Sequence, residues 1–198
     1  MRTLGGSGMQ PRIILASASP RRRKLMREMG LRFRVAPADV RERVWKGLSA
    51  RRTAERNALL KAQAAARTCD GLIIAADTIV ATRFGIVGKP KNMRDAVRIL
   101  TRLSGTRHRV ITGLCLLDTA AGRRQVASEV TYVKMRKMTP EEIQAYVDSG
   151  EALGKAGAYA IQETGDRYVE KVEGSLTNVV GLPVELLTRL LREFGVPV

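Results

Sequence analysis

An α/β fold built on a mixed sheet is predicted for this chain of 198 residues, and three observations predict it. Strand-like and helix-like hydrophobic patterns are interspersed along the chain, which favours helices layered on a sheet. Two β-rich stretches, 108–118 and 125–135, flank a turn at Ala121-Gly122 and read as a hairpin, so the sheet is not purely parallel. Neither GxGxxG nor a P-loop signature is present, which disfavours the dinucleotide-binding and P-loop forms of the class.

The elements follow in order. Residues 1–10, rich in glycine, read as a flexible extension, and 11–198 as a single domain. IILAS (13–17) reads as a short buried strand leading into a helix that carries Leu25, Met26 and Met29 and closes at Gly30. LRFRVAP (31–37) alternates as a strand does, and a charged loop DVRER (39–43) follows. Ser49 heads an alanine-rich helical pattern over 49–67, and GLIIAADTIVAT (71–82) is the most apolar strand candidate. A turn at Arg83 to Gly85 and the pair Lys89-Pro90 lead to a helix at about 93–103, ended by Ser104-Gly105. After the hairpin, Thr139-Pro140-Glu141-Glu142 opens a helix with an N-cap, a first-turn proline and early acids that suit the helix dipole. A glycine-punctuated segment (150–165), a strand (167–173), a loop GSLTN and a last helix (184–194) complete the chain.

Composition narrows the classes. Apolar residues at 44% and charged residues at 27% are globular values, which excludes disorder, collagen and coiled coil. No apolar run approaches the roughly 20 residues of a membrane span, and no signal peptide is evident, so a cytoplasmic protein with no membrane partner is expected. Two cysteines without CxxC spacing and one histidine argue against zinc or a disulfide framework. The net charge of +16 favours polyanionic or phosphorylated partners. Nucleic acid is not expected, because aromatics for base stacking are only 4% and lie far apart.

Three features point to chemistry. Ser17-Ala18-Ser19-Pro20-Arg21-Arg22 stands where a strand turns into a helix, so a start capped by Ser19 with free N–H groups and two arginines outlines an anion site; a well-capped helix with exposed arginines is the alternative. Asp77 lies within an apolar strand, and a buried carboxylate needs a cation, a metal or hydrogen bonds. Glu42 gains interest only as a second oxygen ligand for a hard divalent ion, and Lys89 is directed by the proline after it. His108 receives no role. Together these residues suggest metal-assisted attack of water on a phosphate chain.

The motifs add up further. ASASPRR, AADTIV, GKP, LSGTRHRVITG, EEIQAYVDSGEALGKAGAYAIQ and VEGSLTNVVGLP, in this order and covering essentially residues 12–194, closely resemble the Maf family of nucleoside triphosphate pyrophosphatases. The resemblance implies a bent mixed sheet flanked by helices, with two lobes around a central cleft as in inosine triphosphate pyrophosphatase, and commonly a homodimer. It implies hydrolysis of a nucleoside triphosphate between the α and β phosphates with Mg²⁺ or Mn²⁺. Asp77 takes the place of the family's proton acceptor and metal-bound aspartate, and Glu42 that of its acidic partner. Ser19, Arg21, Arg22, Lys61 and Lys89 match phosphate- or metal-contacting positions. Arg21, Thr78 and Gln162 match the positions that mark members acting on dTTP and UTP. The alternatives are a 7-methyl-GTP pyrophosphatase of the same family and a non-enzymatic regulator of septum formation. Gly154 stands where the family has aspartate before KAG, and Ala160 where it has glycine before IQ.

Overall fold

The structure is a computed structural model and describes residues 11–161 and 164–198. The extension expected over 1–10 and the specificity position Gln162 lie outside the described residues. In chain order the strands are β1 (Ile13–Leu15), β2 (Phe33–Val35), β3 (Leu72–Thr82), β4 (Gly85–Val87), β5 (Arg107–Asp118), β6 (Arg124–Met135) and β7 (Val169–Glu173). The helices are α1 (Pro20–Glu28), α2 (Ala50–Ala65), α3 (Met93–Leu103), α4 (Pro140–Asp148), α5 (Leu176–Val180) and α6 (Val184–Glu193).

Local chemistry sets the helix starts. Ser19, Ser49, Asn92 and Thr139 each accept a backbone N–H from the first turn of α1, α2, α3 and α4. At α4 the box is reciprocal, since Glu142 also reaches back to the Thr139 N–H. One segment departs from the sequence reading: GSLTN is not a loop throughout, because Ser175 caps α5, which begins at Leu176. The three-residue strand β4 also had no clear sequence signal; it exists through its antiparallel pairing with the end of β3.

Among the described residues, seven strands form one mixed sheet in the order β2-β1-β3-β5-β6-β7, with β4 alongside β3. β1 runs parallel to β2 and β3, while the pairings of β3 with β5, β5 with β6 and β6 with β7 are antiparallel. This architecture matches the fold class predicted from the sequence. On the edge of β3 facing away from β5, β1 pairs with residues 72–74 and β4 with residues 80–82. Among the described residues no strand pairs with 75–79 on that edge, and the opening lies beside the loop that leaves β1.

The two faces of the sheet differ. α2 covers one, packing Ala58, Ala62 and Ala65 against Ile14, Ile73, Ala75 and Cys115. Gly113 makes this approach possible, since a Cβ there would collide with the Ala54 backbone. The other face carries two cores. One joins Leu25 and Met26 of α1 and the leucines of α6 to Leu72, Ile74 and Leu114. The second joins α3 and α4 to Val80, Val110 and Val133. Between them runs a polar seam: Thr78 and Thr112 are opposite in the ladder with hydroxyls 3.0 Å apart, and Thr112 donates to the Asn178 carbonyl. Hydroxyls and amides cannot join an apolar core without partners, so the seam divides the packing and leaves room for a cleft.

His108 lies within the second core, 1% exposed, with Nε2 2.8 Å from the Tyr159 hydroxyl and Nδ1 without a partner. Burial lowers its pKa to about 4. The unfolded chain binds this proton below about 6.5 and the folded one only below about 4, so stability falls as pH drops through that window. The loss expected from this residue is roughly 3 kcal/mol. Chemical denaturation of wild type and His108→Gln at pH 7, 5.5 and 4 checks it; curves of equal slope for the two proteins would remove the assignment.

Candidate active site

The pleat of β3 sorts its residues. Residues 73, 75, 77 and 79 face α2 and residues 72, 74, 76, 78 and 80 face the two cores, so Asp77 and Thr78 point to opposite sides of the sheet. Asp77 stands in the unpaired stretch of the β3 edge and is 2% exposed. α2 supplies its partners. Lys61 Nζ donates to Asp77 Oδ1 at 2.7 Å, and Asn57 Nδ2 donates to Asp77 Oδ2 at 3.0 Å.

Lys61 also donates to Glu42 Oε1 at 2.7 Å and to the Ala76 carbonyl at 3.3 Å, which engages all three of its ammonium hydrogens. Lys89 Nζ holds the other Glu42 oxygen at 2.7 Å. Four of the residues singled out from sequence therefore form one chain of charge: Asp77, Lys61, Glu42, Lys89. Burial pushes the Glu42 carboxyl up, but the two lysines outweigh it and hold it at about 2. For Asp77 the balance goes the other way: burial raises it, Lys61 lowers it, Glu42 raises it again, and the net direction is up.

Across the opening, the α1 start presents the second group. Ser19 Oγ accepts the Arg22 N–H at 3.4 Å. Arg22 turns inward, donating to the Gly181 carbonyl at 2.8 Å and to the Ser17 and Thr78 hydroxyls at 3.1 Å each. Burial lowers its pKa against the pull of Asp77 and Glu42. Ser19, Arg21, Arg22 and Thr78 line a cavity of about 150 Å³ that also meets Glu42 and Lys89. A second cavity, about 270 Å³, is lined by Asp77, Asn57, Glu42, Thr78 and Lys89. Thr78, Glu42 and Lys89 belong to both, so the two cavities are neighbouring parts of one cleft.

Gly154 lines the first cavity in a left-handed conformation (φ 73°), with open space where a Cβ would stand. Neither thiol takes part: Cys69 and Cys115 are free and buried, and burial pushes the Cys115 pKa up to about 12. Asn57 was not singled out from the sequence, and Ser17 belonged to the motif at the α1 start without a role of its own. A signal for Asn57 was present: it precedes Lys61 by four residues on the alanine face of α2, so both polar side chains meet the sheet at one place. Among the described residues no group of three or more His, Cys, Asp or Glu is positioned to hold a metal, and no helix is long and apolar enough to cross a membrane.

A family model described as Maf-like protein matches residues 12–194. The chain belongs to the Maf family. A Maf relative named dTTP/UTP pyrophosphatase from Dehalococcoides mccartyi is 46% identical over 186 residues, covering 93% of this chain and 83% of its own. Another of that name from Syntrophomonas wolfei is 44% identical over 182 residues, covering 91% and 96%. In fold, the Maf chain is similar to a HAM1 protein from Coxiella burnetii, with a TM-score of 0.54, 17% identity and coverage of 93% of this chain and 100% of that one.

Proposed function

We propose that this Maf protein hydrolyses dTTP and UTP to the nucleoside monophosphate and pyrophosphate, with Asp77 as the base. The observation that carries the reading is a buried carboxylate in a strand opening, facing a cleft rimmed by Lys89 and the arginines of α1. The choice of pyrimidine nucleotides is supported by the names of the relatives, which do not favour the 7-methyl-GTP or septum-regulator alternatives.

Asp77 accepts a proton from the attacking water, and the upward push of burial on its carboxyl suits that task. Lys61 and Asn57 hold one oxygen each and so aim the carboxylate. Lys61, with its donors engaged, acts on the carboxylates and only through them on the phosphates. Ser19, Arg21 and Lys89 bind the triphosphate, while Arg22 shapes the cleft through Ser17, Thr78 and Gly181 and adds positive field. Glu42 and Asp77 fit a divalent ion such as Mg²⁺ or Mn²⁺, which needs one or two carboxylates and takes its remaining ligands from phosphate and water. When bound, such an ion would supply charge neutralisation and would lower the pKa of the attacking water. Arg21, Thr78 and Gln162 set the preference for the base, because a site built to hydrogen-bond one base edge penalises a base that leaves its groups unpaired.

The test is kcat/KM for dTTP, UTP and 7-methyl-GTP with pyrophosphate and orthophosphate assayed separately. Pyrophosphate release from dTTP and UTP, abolished by excess chelator, is expected. Orthophosphate release, full activity in chelator, or a preference for 7-methyl-GTP overturns the reading. The family resemblance also carries a homodimer acting in the cytoplasm; a monomer mass by light scattering would remove the first of these.

A further inference from the structure

Asn57 uses the whole hydrogen-bonding capacity of its amide. Nδ2 donates to Asp77 Oδ2 and to the Arg43 carbonyl, both at 3.0 Å. Oδ1 accepts from the Trp45 indole N–H at 3.2 Å and from the Arg43 backbone N–H at 3.4 Å. The residue is 2% exposed and sits on α2, four residues before Lys61. Its bonds to both backbone groups of Arg43 imitate a strand partner for a loop that has none. Arg43 directly follows Glu42, and the loop is further pinned where Arg56 of α2 stacks on the Trp45 ring at 4.0 Å.

We propose that Asn57 is a positioning residue that sets the Glu42 loop in register with Asp77, so that one amide fixes the geometry of both carboxylates. This rests on the reading of Asp77 and Glu42 as the acting carboxylates. Lys61 neutralises the two groups but reaches the loop only through the side-chain Oε1 of Glu42 and leaves the loop backbone unconstrained. Asn57 is the residue that grips that backbone and Asp77 at once. Misplacement of a reacting group by about 1 Å can cost on the order of 10²-fold in rate, so a tether of this kind is expected to act on kcat more than on binding.

Trp45 is the single tryptophan of the chain, and its fluorescence therefore reports the loop. Asn57→Leu removes all four bonds; kcat for dTTP is expected to fall about 10²-fold with little change in KM, and acrylamide quenching of Trp45 to rise. Asn57→Asp keeps an acceptor for the Trp45 and Arg43 N–H groups but turns a carboxylate oxygen on both Asp77 and the Arg43 carbonyl, so the same loss of kcat is expected, with quenching between that of wild type and of Asn57→Leu. A folded Asn57→Leu protein that loses only thermal stability, with kcat within about threefold of wild type, overturns the proposal, as does unchanged quenching. If Asn57→Leu does not fold, Asn57→Asp decides: near-wild-type kcat overturns the proposal. Wild type inactive on dTTP would overturn the reading of function and the kinetic half of this one; the quenching of Asn57→Leu still decides whether Asn57 holds the loop.

Discussion

Asp77→Asn is expected to reduce kcat for dTTP by about 10²–10⁴-fold, the range that general-base catalysis contributes. The amide has the size and shape of the carboxylate and can still accept from Lys61, at the expense of the Asn57 bond, since its NH2 then faces the Asn57 Nδ2 donor; it cannot take the proton of the attacking water. The fold is expected to survive. Burial raises the Asp77 pKa above its usual range, so at neutral pH the ionised group opposes folding, and replacing it with a neutral one holds or raises the melting temperature. The sign follows from linkage: between the unfolded and the raised folded pKa the native state binds more protons, and stability falls as pH rises through that interval. Steady-state kinetics with a melting curve on the same sample check both halves. A kcat within about threefold of wild type would remove Asp77 from the role of base.

Lys61→Met is expected to cost about 3–5 kcal/mol of stability, the effect of breaking a buried ion pair by removing one partner. Its ammonium is the common neighbour of Asp77 and Glu42, at 2.7 Å from each, and methionine fills similar space with no charge. Glu42 keeps Lys89, whereas Asp77, 2% exposed, keeps as its one hydrogen-bond partner among the described residues the Asn57 amide. The penalty therefore falls mainly on Asp77, and the double variant Lys61→Met/Asp77→Asn is expected to recover most of the loss. Urea unfolding of the wild type, both single variants and the double variant measures the coupling. Additive changes would show that the lysine and the aspartate do not depend on one another.

Much of the fold was readable from the chain. Ser19, Ser49 and Thr139 stand where their helices begin because a cap needs only the next three residues to act. The β5–β6 hairpin was visible for the same reason of locality, while β4 was not, since three residues become a strand only by finding β3. GSLTN looked like a loop because its glycine and polar residues are what loops contain, and the capping by Ser175 needed the packed α5 to become apparent. In the candidate site, Asp77 stood out through its apolar flanks. Glu42 gained interest only as a second oxygen ligand beside Asp77, Lys61 acquired meaning only from the family resemblance, and Asn57 passed as one more polar residue of a helix.

What the sequence by itself determined is the alternation, the caps and the turns, and hence an α/β chain with a mixed sheet and an acidic residue inside its most apolar strand. Tertiary structure alone decided the partners. Lys61 meets Asp77 and Glu42 from 16 and 19 residues away, and Arg22 meets Thr78 across 56. Period-two geometry sends Asp77 and its neighbour Thr78 to opposite sides of the sheet. Caps and pleats act through bonds along the chain, so they are written in order; charge acts through space, and its consequences exist only where folding has brought the groups together and removed the water between them.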